Sequence, residues 1–290
     1  MTLALIYQRE RSGTTGMYFE RACANLGVSY QAWSLKDAAS IPSGLTCYLR
    51  IDHGDDYETA LPRHLRPAVF YAIDTHLPHS FKKIRRTASW YDLLIGCHRQ
   101  ATRELPGMAW IPLACDPDVH RMTGEPRTVD VGFVGTDGGV PRKFLLQALR
   151  ERFPRSVIGA AGYQQISSVY SRARIGFNYA VADDLNMRAF EVPSCGALLV
   201  TNALSRNDFD VLGFEDRRHL VCYHTPAQAF ELIEYYLTHA AEAEAIAQAG
   251  HQLVVTRHTY AARMRQLFTV LQERFGVTVP ITAGDLCASS

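Results

Sequence analysis

Residues 174–202 read R-I-G-F-N-Y-A-V-A-D-D-L-N-M-R-A-F-E-V-P-S-C-G-A-L-L-V-T-N. Ile175, Phe177 and Tyr179 recur at every second position, the spacing of a strand. Asp183, Asp184, Leu185 and Asn186 make a polar loop, and Asn186 is placed to cap a helix. Gly196 stands where a helix-ending glycine belongs, and Ala197 to Val200 is a short apolar run fit for a buried parallel strand. On the intervening helix, Arg188 and Glu191 share a face. Beyond the carboxyl end of a parallel strand, such a pair is placed to hold a charged ligand. A surface ion pair explains the spacing equally well.

The same strand–loop–helix unit recurs outward in both directions, which is the pattern of a doubly wound α/β fold. Upstream, Val129 to Val134 is a strand, 135–139 a glycine-rich loop, and 142–152 a helix. Backbone amides at Gly135 and Thr136, with Arg142 in the first turn, suit a phosphate, because an anion relieves the clash of a cation with the helix dipole. Downstream come strand 220–223 and helices 226–239, 242–254 and 256–275, the last with an apolar stripe that core packing explains. Residues 121–128, with Gly124 and Pro126, read as a linker, and 276–290 as a flexible tail.

A first series occupies residues 1–120. Leu3 to Tyr7 is a strand, followed by a loop with Gly13, Thr14 and Gly16, then a helix from about Met17 to Asn25. The loop is not GxGxxG, which argues against a nicotinamide site. Strands 45–51 and 67–73 end in Asp52-His53 and Asp74-Thr75-His76. Histidine titrates near neutral pH and an adjacent carboxylate orients it, so His76 and Asp74 are the general-base candidates, with Asp52 and His53 in reserve. Helix capping is the plainer reading of such aspartates. Lys82 to Arg86 is a basic run, most simply a solvated helix face.

Composition narrows the classes. The 290 residues imply about two domains. Thirty Lys+Arg against 29 Asp+Glu give no general pull toward nucleic acid or anionic lipid. Seven cysteines without a CxxC fit buried reduced thiols in a cytoplasmic protein. No apolar window is long enough to cross a membrane as a helix.

Two successive Rossmann-like series without a dinucleotide fingerprint imply a ligand held in a cleft between two domains. The chain from Val131 to about Phe275 resembles the C-terminal half of the CgeB-like, spore-maturation branch of the GT-B glycosyltransferases. The resemblance rests on G-F-V-G-T with the following Arg142, on N-Y at 178–179 with N-M-R-A-F-E-V-P-S-C-G-A-L-L-V-T-N, and on R-H-T-Y-A-A-R-M. In the first half it rests more loosely on F-Y-A-I-D-T-H, Y-D-L-L-I-G-C and W-I-P-L-A-C-D-P.

This resemblance implies an α/β fold of two Rossmann-like domains facing a central cleft. Residues 1–120 would serve the acceptor, and 129–275 the nucleotide-sugar donor, with the last helix a candidate to pack back on the first domain. It further implies transfer from a nucleoside-diphosphate sugar, expected to be a UDP-sugar, without metal or other cofactor. By position, Glu191 matches the ribose-binding acid and Arg188 a phosphate contact. Gly135 and Thr136 match the diphosphate loop, and Asn178 and Asn186 line the same side. Gly13 and Thr14 remain loop candidates on the acceptor side. The acceptor is open: a glycan, a protein, a small molecule or, with less support, nucleic acid. Two alternatives accompany this reading: a nucleotide-sugar epimerase, and a degenerate relative that binds a sugar nucleotide or glycan without turnover. Pro193 is expected to bend or shorten the helix that carries Glu191.

Overall fold

The computed structural model describes residues 1–54 and 56–282. In chain order the elements are β1 (Leu3–Ile6), α1 (Thr15–Asn25), β2 (Tyr30–Trp33), β3 (Cys47–Ile51), β4 (Ala68–Ala72), α2 (Pro78–Thr87), β5 (Leu93–Gly96), α3 (Arg99–Glu104) and β6 (Ala109–Trp110). They continue with β7 (Val129–Val134), α4 (Arg142–Arg152), β8 (Ser156–Gly159), α5 (Ile166–Arg172), β9 (Ala173–Asn178), α6 (Arg188–Ser194) and β10 (Leu198–Asn202). Last come α7 (Asp208–Val211), β11 (Val221–Tyr223), α8 (Pro226–Thr238), α9 (Ala240–Arg257) and α10 (Tyr260–Phe275). The chain divides into two units, Met1–Pro112 with the segment from Tyr260 onward, and Leu113–Thr259.

The first unit holds a parallel sheet in the order β2-β1-β3-β4-β5-β6. β3 and β4 are buried at every position, as strands covered on both faces must be. Arg50 is the exception in kind: it lies inside β3 with 2% exposure. Its guanidinium donates to the carbonyls of Asp56 and Thr59 and lies 4.9 Å from the centroid of the Phe70 ring. The loop therefore supplies the acceptors that a buried cation requires.

α10 belongs to this unit. Tyr260 stacks on Tyr18 at 5.2 Å and meets Phe19 edge-on at 5.3 Å, and Arg263, 1% exposed, donates to the carbonyl of Pro112 at 3.0 Å. The expected loose tail is corrected as far as it is described: Val279 is buried, and Thr282 donates through its amide to Leu26 and through its hydroxyl to Gly27. The rest of that tail, 283–290, lies outside the described residues, as does Asp55.

The second unit holds a parallel sheet in the order β11-β10-β9-β7-β8. Leu145, Leu146 and Leu149 of α4 and Ala229, Leu232 and Ile233 of α8 form one core with Val131, Phe133, Phe177 and Val200. α6 packs on α9 and against β9 and β10. Gly176 allows that approach: a Cβ there would stand 2.2 Å from Val192 Cγ1. α6 is one short helix with Pro193 in its last turn, and Gly196, at φ +79°, turns the chain into β10.

Two boundaries differ from expectation. Residues 121–128 are not a free linker. Ser171 accepts the Thr123 amide and donates to the Arg121 carbonyl, Ser167 accepts the Arg121 amide, and Arg127 donates to the Ala173 carbonyl. Short side chain-to-backbone bonds of this kind carry no periodic sequence signal. The break before the last helix falls at His258–Thr259 rather than before Thr256, and Cys115 pairs there with Thr259 in a parallel bridge.

Candidate active site

The second unit gathers its polar residues at the carboxyl ends of β7 and β9. Asn178, the last residue of β9, is 1% exposed. Its amide nitrogen donates to Thr201 Oγ1 at 3.1 Å, which turns its oxygen toward the loop. That oxygen accepts Arg188 Nε at 2.8 Å and Asn186 Nδ2 at 3.3 Å. Arg188 also donates to the Val134 carbonyl at 3.3 Å, and its guanidinium carbon lies 4.9 Å from the centroid of the Phe133 ring. Among the described residues, most of its N–H donors stay uncommitted. Asn186 does not occupy the N-cap position, which is Met187; its side-chain oxygen instead accepts the Arg188 amide at 3.2 Å.

Gly135 makes room for this arginine, since a Cβ there would lie 2.8 Å from Arg188 Nη1. Across the 135–139 loop, Arg142 donates to Thr136 Oγ1 at 3.3 Å and to the Asp137 carbonyl at 3.2 Å. Burial, and after it the Arg188 charge, lower the Arg142 pKa, while Asp184, Asp137 and Tyr179 oppose that shift. Two guanidinium groups are thus held close enough to repel, beside a loop of exposed backbone. A polyanion bound there would relieve the repulsion.

Arg188 and Glu191 do not form the surface ion pair that their spacing allows. Glu191 is 8% exposed, and its Oε1 lies 3.4 Å from Nε2 of His120, a fully buried residue that the sequence reading did not single out. The carboxylate and the guanidinium are therefore two separate features of one strand end. A cleft of about 460 Å³ opens nearby between α4 and α8, lined by Phe144, Tyr179, Asn202, Tyr223 and Phe230 among others. None of Arg142, Arg188 and Glu191 lines it, so it stands apart from the charged cluster.

In the first unit the strand ends are more fully occupied. Asp52, 2% exposed, accepts the Gly54 amide at 2.8 Å and the Ile73 amide at 2.9 Å, one on each oxygen. It ties the end of β3 to the end of β4. His53 makes no side-chain hydrogen bond among the described residues. Asp74 accepts the Tyr57 hydroxyl at 3.2 Å. Burial, with Asp52 and Asp74 next, raises the Tyr57 pKa, which keeps that hydroxyl a donor. His76 is half-buried, with its ring centroid 4.4 Å from that of His98. His98 is buried, and its Nδ1 lies 3.0 Å from Thr75 Oγ1 and 3.2 Å from Cys97 Sγ. His98 is the second residue the sequence reading missed, although it follows a parallel strand as His53 and His76 do.

Gly13 has φ +74°, and Thr14 is buried just before α1 with no hydrogen-bond partner for Oγ1 among the described residues. Gly16 serves packing rather than a ligand: a Cβ there would stand 2.1 Å from the Tyr7 ring. The basic run lies on α2, where Phe81 and Ile84 are buried and Lys82, Arg85 and Arg86 exposed. It is an ordinary solvated face.

Residues 142–269 match the family model described as Glycosyl transferase-like. Among solved structures, the Anabaena protein HepE in complex with UDP-glucose aligns with TM-score 0.68 and 10% identity over 94% of this chain and 100% of its own. Sucrose-phosphate synthase from Thermosynechococcus elongatus aligns with TM-score 0.67 and 11% identity over 96% and 100%. An alpha-glucosyltransferase in complex with UDP-glucose and DNA containing an abasic site gives 0.67 and 10% over 93% and 98%. The fold is of the GT-B type. No curated protein matches the chain in sequence. Among the described residues, no helix is long and apolar enough to cross a membrane.

Proposed function

We propose that this GT-B protein is a glycosyltransferase that takes a sugar from a UDP-sugar, and that the donor is held by the second unit. The observation that carries the reading is the pair Arg142 and Arg188, which open α4 and α6 within range of each other's charge. Their charge would stabilise the diphosphate as it departs from the anomeric carbon, the work that a preorganised cationic site does in a transition state. Gly135 and Thr136 border the phosphates, and Asn178 and Asn186 hold Arg188 in place. Glu191 accepts the ribose hydroxyls, for which an ionised carboxylate is well suited.

With two arginines to balance the charge, the reaction needs no metal or other cofactor. In the first unit His76, backed by Asp74, is the group proposed to take the acceptor's proton. Asp52 is read as a clamp, because each of its oxygens holds a backbone amide from a different strand end. The acceptor is a glycan, protein or small molecule. The balanced charge gives nucleic acid less support. Within GT-B, the motifs that begin at Val131 favour the CgeB-like branch, and the cysteine usage favours a cytoplasmic setting.

A thermal-shift screen over UDP-, GDP-, dTDP- and CDP-sugars, with and without EDTA, tests the proposal. Binding to the folded state raises the midpoint by mass action. The expected result is a rise with UDP-sugars that EDTA leaves unchanged. No shift with any donor would overturn it, and a shift without glycoside formation would favour the binding-only alternative.

A further inference from the structure

We propose that His120 is a positioning residue for the donor: it fixes the Glu191 carboxylate so that one oxygen stays available to the ribose. The inference rests on the ribose role given to Glu191 above and adds a residue outside the motif that carries it.

His120 Nδ1 accepts the backbone amide of Asp116 at 3.0 Å. A ring nitrogen that accepts an N–H carries no proton, so the proton sits on Nε2 and the ring is the neutral tautomer. Nε2 lies 3.4 Å from Glu191 Oε1, within reach for electrostatic attraction to the carboxylate. The turn that presents the ring is itself closed, with the Val119 and His120 amides donating to the Asp116 carbonyl at 3.0 and 2.7 Å, and the Asp118 amide to Asp116 Oδ1 at 3.0 Å. The far side of His120 is tied to α6 again, because Ser194 Oγ donates to the His120 carbonyl.

One helix therefore carries both the acid and the hydroxyl that locks its partner. A glutamate side chain has several rotatable bonds, and ordering it has an entropic cost when a ligand arrives. A buried imidazole 3.4 Å from Oε1 lowers that cost before binding and biases Oε2 toward a hydroxyl.

The test uses the full chain and two probes, UDP and 2′,3′-dideoxy-UDP, and reads the ratio of their dissociation constants by calorimetry. Wild type should prefer UDP by about tenfold or more, the worth of a charge-assisted hydrogen bond. Glu191→Ala should bring the ratio close to one. His120→Ala should reduce the ratio severalfold while dideoxy-UDP binds as before, and His120→Gln, which restores an N–H near the Nε2 position, should recover most of it. A merely structural His120 would weaken both probes alike and leave the ratio unchanged, which overturns the proposal with the Glu191 reading intact. An unchanged ratio in Glu191→Ala would overturn the ribose reading and this proposal together. Should His120→Ala fail to fold, ¹⁵N spectra of the wild-type imidazole decide: protonated Nε2 with bare Nδ1 supports the proposal, and protonated Nδ1 overturns it.

Discussion

Asp52 directly follows β3, and Arg188 starts α6 with its side chain on the last residue of β9; both side chains sit at carboxyl ends of parallel strands, yet their hydrogen bonding differs in kind. Asp52 is engaged on both sides: each oxygen holds a backbone amide, and the residue joins two strand ends. Arg188 is braced on one edge by Asn178 and Val134, with Phe133 beneath it, and keeps donors in reserve. Strand-end position alone therefore does not mark a functional residue. What separates the clamp from the site is whether the side chain's capacity is consumed inside the fold.

The comparison breaks most visibly at the proposed base. His76→Ala should lower turnover by about 10²- to 10³-fold while UDP affinity is retained, as loss of general-base assistance predicts. Steady-state rates beside calorimetry check this, and equal rates in the two proteins would remove His76 from the chemistry.

A smaller effect separates the two roles of Asp52. Asp52→Asn should cost about 2 kcal/mol in urea unfolding, because a charge-assisted acceptor is weakened at a buried position. Turnover of the folded fraction should stay close to wild type. A large fall in turnover with stability unchanged would make Asp52 a catalytic group after all.

The effect least visible at neutral pH concerns the core of the first unit. Burial raises the Cys23 and Cys47 thiols to about 12. Each is protonated in the folded state at pH values where the unfolded chain ionises. Their contribution to stability is thus complete below the unfolded pKa of about 8.5 and is lost as pH rises toward the folded value. Denaturation midpoints should fall steadily between those limits, and native thiols should resist alkylation at neutral pH. Rapid labelling of Cys23 in the native protein would show that its burial is overestimated.

Much of the fold was legible because parallel strands buried on both faces are written as apolar runs, such as 47–51, 68–72 and 197–200. The charged cluster was legible for a related reason: Asn178, Asn186 and Arg188 lie within one βα unit, so local spacing places them together. The contacts that escaped lie outside any periodic pattern, most of them between distant positions. His120 meets Glu191 across a long stretch of chain, and Ser171 holds what reads as a linker. Arg50 reads as a break in an apolar strand until the carbonyls of Asp56 and Thr59 receive it. Each depends on a few polar contacts with no period to betray them. Asn186 is an intermediate case, one position from its expected cap and still bonded to the start of the helix.

The central claim is that the second unit binds the donor through its diphosphate. The direct measurement is calorimetric titration of UDP and of uridine into wild type, Arg142→Ala and Arg188→Ala. Each substitution is expected to weaken UDP by about 2–3 kcal/mol, the worth of a charge-assisted contact to phosphate, and to leave uridine unchanged. UDP affinity that survives both substitutions would contradict the account.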